Sequence, residues 1–268
     1  MDADRSGPDS GDFIHRWLTQ GAASAAYIKF QHVPLAELEG GREDAFGPLA
    51  EAIFVHHNDP EEFRANLEAL GYAELAQALD KRPRSSNTRK SNFGEILAAE
   101  YLRQSEGYQI PVYRLRYNPN PESSMKGDDV LGFKFGEAGG AGREIVVAEA
   151  KVRGRFASSV VTDACDQLKG GHRPQPKSIL FVVSILRKED RHGEANQVLT
   201  FLDKFAPNQP TNQALLFLVT GNRPKDPFGC VQEREEVMDN LMAADLWLPK
   251  LDEFVEELFD FEVDTHGS

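Results

Sequence analysis

The sequence predicts an α/β fold: a mixed β-sheet core flanked by helices, with a smaller α+β region ahead of it. Three observations lead there. Residues 127–153 read as a hairpin, with the apolar run GDDVLGFKF, the glycine-rich turn GEAGGAG and the second run REIVVAEAKVR. SILFVVSILR and ALLFLVTG are continuous apolar stretches, the pattern of central strands covered on both faces. Segments with helical apolar spacing surround them. We place the N-terminal α+β region at residues 1–84 and the main domain at 85–268.

Taken in order, residues 1–12 are expected to be disordered, and their acidic, polar character is unlike a signal peptide. AAYIKFQHV is readable as a strand, while PLAEL and EEFRANLEALGYAELAQALD read as helices. His56 and His57 end AIFVHH. Adjacent strand side chains face opposite ways, so the pair makes poor co-ligands and reads as structural. Residues 81–91 carry five bases, one proline, three serines and no acid, which predicts an exposed loop. That loop is either a solvated connector or a phosphate-contacting strap using Arg89 and Lys90.

SNFGEILAAEYLRQ follows as a helix, with Asn92-x-x-Glu95 fitting a capping box and Ile96, Leu97, Tyr101 and Leu102 as its buried stripe. Glu95 is either a capping acid or a carboxylate facing the hairpin; both hold if the first turn points that way. QIPVYRLRY reads as a strand, and SSVVTDACDQLKGG, after the hairpin, as a helix ended by glycines. The stretch from Glu235 to Phe261 reads as acidic amphipathic helices whose apolar side is core or partner surface.

Composition narrows the function classes. A chain of 268 residues can bury a substantial core. It has no apolar run near the ~18 residues of a membrane span, and no internal repeat, phosphate loop, HExxH or GxSxG motif. Cys165 and Cys230 have no zinc-ligand spacing and read as buried thiols of a reducing cytoplasm. The net charge of −13 is unevenly spread. Residues 1–80 hold 15 acids and 5 bases, residues 81–187 hold 11 and 18, and residues 188–268 hold 17 and 7. The basic middle can neutralise phosphates that the whole-chain charge would repel.

Chemistry concentrates on the second hairpin strand. Alternation puts Val147, Glu149 and Lys151 on one face and Ala148, Ala150 and Val152 on the other. An acid and a lysine in an apolar strand are costly unless they are paired or bind a metal. Chance alone would give roughly two acid-x-lysine pairs in a chain with 12 lysines and 43 acids, so the context carries the argument. Asp128 and Asp129 open the neighbouring strand. Carboxylates from two adjacent strands plus a lysine can hold Mg²⁺ or Mn²⁺ and set a water against a phosphodiester. The alternative is a structural ion pair or a solvated edge strand.

The order of helix with Glu95, strand, hairpin with Asp129 and Glu149-x-Lys151, helix, strand resembles the PD-(D/E)xK superfamily, whose fold is restriction-endonuclease-like. NFGEILAAEYL, DDVLGFKF and VVAEAKVR together resemble the HamA family, nuclease subunits of the Hachiman anti-phage defence system. The resemblance implies a metal-dependent DNA nuclease controlled by a superfamily 2 helicase partner, HamB-like, with no membrane attachment. It implies Asp129, Glu149 and Glu95 as metal ligands, with Lys151 completing the catalytic set. Lys126-Gly127 stands where the family motif has a proline, so the two aspartates compete. Asp129 is preferred because Val130-Leu131-Gly132 follows it. Gln167, Lys169, Arg153, Arg89 and Lys90 are the candidate DNA contacts. A sequence-specific restriction enzyme and a non-catalytic DNA-binding subunit are the rival readings.

Overall fold

The computed structural model describes residues 12–70, 79–123, 125, 127–137, 141–171, 176–203 and 208–263. Its centre is a six-stranded mixed sheet in the order β1-β2-β6-β5-β4-β3. The strands are β1 (Leu18–Gln20), β2 (Gln31–Glu37), β3 (Val130–Lys134), β4 (Glu144–Arg153), β5 (Thr211–Thr220) and β6 (Leu241–Trp247). β2, β6, β5 and β4 run parallel, and β1 and β3 close the two edges antiparallel. β1 and β2 therefore build the N-terminal region into the same sheet.

Helices cover both faces. The described ones are α1 (Ile14–Trp17), α2 (Gly41–His57), α3 (Pro60–Leu70), α4 (Ser86–Gln104), α5 (Ser158–Gly171), α6 (Pro176–Lys188), α7 (His192–Leu199), α8 (Gly229–Gln232) and α9 (Leu251–Asp260). Strand alternation sorts the core into two. Val146, Ala148, Val152, Leu215 and Phe217 pack with residues of α1, α2, α4 and α9. Ile145, Val147, Leu216 and Leu218 pack with residues of α5, α6, α7 and α8. β5, in the middle, is buried from Ala214 to Thr220, as ALLFLVTG predicts.

The hairpin forms as expected, with Val130 opposite Ala148, and so do α5 and the buried stripe of α4. Several elements differ from expectation. SILFVVSILR is not a strand but most of α6. Ile179, Val182, Val183 and Leu186 lie at helical spacing and are buried, while Leu180 is 48 % exposed. A continuous apolar run masks that period. Conversely, LMAADLW is strand β6 rather than helix, because its alternative to solvent is pairing with β5 and β2. Pro249 and Lys250, the latter at φ 57, turn the chain into α9, the one helix of that segment.

QIPVYRLRY makes a single bridge, Gln109 to Phe133, and then a 3₁₀ turn over Arg114–Tyr117. Pro111 has no N–H with which to extend the ladder. Residues 34–37 of PLAEL lie in β2, and AIFVHH is the last part of α2. His56 and His57 are nonetheless structural in their contacts. His56 Nε2 is 2.9 Å from Glu100 Oε1, and His57 Nε2 accepts from Asn92 Nδ2 at 2.9 Å. Asn92 lies inside α4, which begins at Ser86, so the expected capping box is absent. Glu122 instead accepts the N–H groups of Arg84 and Ser85, at 2.6 and 3.0 Å. Residues 86–91 are thus helix rather than loop. The expected disorder of residues 1–11 and the second half of the 61–80 helix, residues 71–78, lie outside the described residues.

Candidate active site

β4 presents Glu149 and Lys151 on the face toward α5, as the alternation requires. Lys151 Nζ donates to Glu149 Oε1 at 2.5 Å and to Gln167 Oε1, on α5, at 2.9 Å. Asp129 stands one residue before β3. Continuing the register from Val130–Ala148 sets it opposite Glu149. Its Oδ2 accepts the Ala150 N–H at 3.4 Å. α4 brings the third carboxylate. It crosses β4 closely at Gly94, where a Cβ would lie 2.5 Å from Val152 Cγ2. Only glycine permits that approach, and Glu95 is the next residue.

Burial is the main cause of the site's electrostatics. It pushes Glu95 up to about 8; Arg114 opposes the rise, and Asp129 and Glu149 add to it. Asp129 is raised by burial, against Arg114, the Ala150 N–H and Lys151. Glu149 is pushed up to about 7 by burial and then by Asp129, with Lys151 and Arg114 opposing. Three carboxylates thus sense one another in a poorly solvated place, with cationic groups as partial relief.

Arg114 is the residue that sequence reasoning missed. Its Nε lies 3.1 Å from Glu95 Oε1, its Nη2 donates to Met125 O at 2.8 Å, and its Nη1 donates to Asp128 O. The buried Nε–H makes no hydrogen bond, so Arg114 acts on Glu95 through its charge alone. Reading RLRY as a strand gave no sign of this role. Arg114, Glu95, Asp128, Asp129, Lys177 and Phe181 line a cleft of about 370 Å³.

The other candidates fall elsewhere. Arg153, exposed at the end of β4, donates to Val152 O at 2.8 Å. Arg89 pairs with Glu256 at 2.5 Å and Asp260 at 2.8 Å, and Lys90 with Asp252 at 3.1 Å; both are held by the acidic helix α9. Lys169 belongs to α5, but its side chain lies outside the described residues.

Among the described residues, no three His, Cys, Asp or Glu side chains are gathered tightly enough to cage a metal. The donor chemistry still fits a hard divalent cation. Asp129, Glu149 and Glu95 are oxygen donors whose neighbouring charges raise one another's proton affinity, the condition a cation relieves.

Fold and site together define an α/β protein with a cluster of carboxylates and a lysine near one edge of a mixed sheet, beside a cleft that Glu95 and Asp129 line. The family model HamA matches residues 13–244. Hachiman protein HamA of Bacillus cereus is 33% identical over 195 residues, spanning 70% of this chain and 68% of its own. The chain belongs to the HamA family. No helix among the described residues is long and apolar enough to cross a membrane.

Proposed function

We propose that this chain is the metal-dependent DNA nuclease of an anti-phage defence complex, restrained and activated by a helicase partner, with a restriction-endonuclease-like core. One observation carries the reading: Asp129, Glu149 and Lys151 meet on the hairpin, and Glu95 joins them from α4.

Asp129, Glu149 and Glu95 would hold Mg²⁺ or Mn²⁺, which supplies an activated water and neutralises phosphate charge. Lys151 Nζ is held in place by its hydrogen bonds to Glu149 and Gln167. From there it stabilises charge developing on the phosphoryl oxygens. Arg114 balances the carboxylates and holds the Asp128 carbonyl. The sequence carries no recognisable base-reading motif, so cleavage is expected to have little sequence specificity. Restraint is supported by charge: helix α9 already ties up Arg89 and Lys90 with carboxylates that compete with DNA phosphates.

The test uses the purified chain, alone and with its helicase partner, on plasmid DNA with and without ATP. Degradation should need Mg²⁺ or Mn²⁺, stop with EDTA, and fall to background in folded Glu149→Ala and Lys151→Ala variants. Wild-type rates in both variants would sink the catalytic assignment. Full activity of the complex on intact plasmid without a trigger would remove the restraint. Cuts at defined sequences only would put a restriction enzyme in its place.

A further inference from the structure

A second cavity adjoins the carboxylate cleft, and nothing in the proposed chemistry uses it. It measures about 480 Å³ and is lined by Lys81, Arg116, Asn118 and Lys188, with no acidic residue among the described ones in its wall. Phe181 lines both cavities. The link is one stripe of α6. Lys177 and Phe181 face the cleft; Phe181, Ile185 and Lys188 face the groove. At ~1.5 Å per residue, Lys177 and Lys188 stand about 16 Å apart along the helix axis. That is the axial rise of roughly five nucleotides of one strand.

The charges in this path are uncommitted. Lys81, Lys177 and Lys188 make no ion pair among the described residues. Most other basic side chains near the site are spoken for: Arg89 and Lys90 by α9, Lys151 by Glu149, and Arg116 by Asp59 at 3.3 Å. Holding Arg116 stiffens the groove wall without filling it. Phe181, half-buried and edge-on to Tyr117 with ring centroids 6.3 Å apart, offers an apolar face where cleft and groove meet. Unpaired lysines beside an aromatic platform are what a nucleic-acid strand requires.

We propose that the strand whose phosphodiester enters the carboxylate cleft continues over Phe181 into this groove, its phosphates held by Lys177, Lys188 and Lys81. The track rests on the nuclease reading for its direction, but its test does not depend on cleavage. The full-length chain, in EDTA, is titrated against a short fluorescein-labelled DNA oligonucleotide, single-stranded and as a duplex, from about 50 to about 200 mM salt. Lys81→Ala/Lys177→Ala/Lys188→Ala should bind more weakly and lose about two units of the slope of log affinity against log salt, at ~0.7–0.9 per phosphate contact. Exposed Lys225→Ala is the control and should leave affinity and slope unchanged. Circular dichroism checks that the triple variant is folded. An unchanged slope in the triple variant, an equal loss in the control, or no binding by the wild type would overturn the proposal. If the wild type fails to cut DNA with Mg²⁺ yet keeps the lysine-dependent slope, the nuclease reading falls and the track stands.

Discussion

Replacing Glu95 by Gln should stabilise the metal-free chain, and the gain should grow with pH. In the folded chain burial raises the Glu95 pKa to about 8, with the opposing effect of Arg114 already included; the ordinary value is 4.5. Between those values the unfolded chain has lost the proton and the folded chain keeps it. Unfolding then releases a proton, so stability falls as pH rises. Each pH unit costs about 1.4 kcal/mol. From about pH 5.5 to about pH 7.5 the gap between variant and wild type should widen by about 2.7 kcal/mol, and the full shift caps it near ~5 kcal/mol. The Glu95 side chain is only 12% exposed, so solvent screening takes little from this. The assay is urea unfolding in EDTA at several pH values. Adding Mg²⁺ should reverse the order, stabilising the wild type more than the variant, since binding favours the folded state that holds the ligand. A gap that does not change with pH, or one that favours the wild type as pH rises, would refute the account of this carboxylate.

Two further outcomes follow from the same geometry. Asp129→Asn should lower cleavage by orders of magnitude and Asp128→Asn little, because Asp129 is the acid opposite Glu149; a dead Asp128 variant with an active Asp129 variant would reverse the register argument. Gly94→Ala should cost about 1–3 kcal/mol in urea unfolding, since its Cβ meets the buried, branched Val152 at 2.5 Å. It should also slow cleavage by moving Glu95 off the hairpin, and an unchanged midpoint and rate would show that the helix has room.

The hairpin was legible in the sequence because everything that makes it is local. A turn signal, a period of two, an acid just ahead of the first strand and another midway along the second suffice to bring Asp129, Glu149 and Lys151 together. The stripe of α4 was legible for the same reason, at a period of 3.6. The start of α4 was not, because residues 86–91 are polar and the amides just ahead of it are met by Glu122, far along the chain. SILFVVSILR and LMAADLW exchanged identities for a reason no local window contains. A short apolar run satisfies helix and strand alike, and the choice falls to what is available to pair with or pack against. LMAADLW had β2 and β5 on either side of it; SILFVVSILR had only a sheet face to lie on. Arg114 shows the limit most plainly. One arginine among 18 is anonymous in the sequence. It becomes the cation facing Glu95 because Pro111 ends a ladder and a 3₁₀ turn aims its guanidinium inward. The sequence by itself determined which carboxylates and which lysine share the hairpin. Tertiary packing alone decided what surrounds them, since burial and long-range charge depend on neighbours brought from elsewhere in the chain.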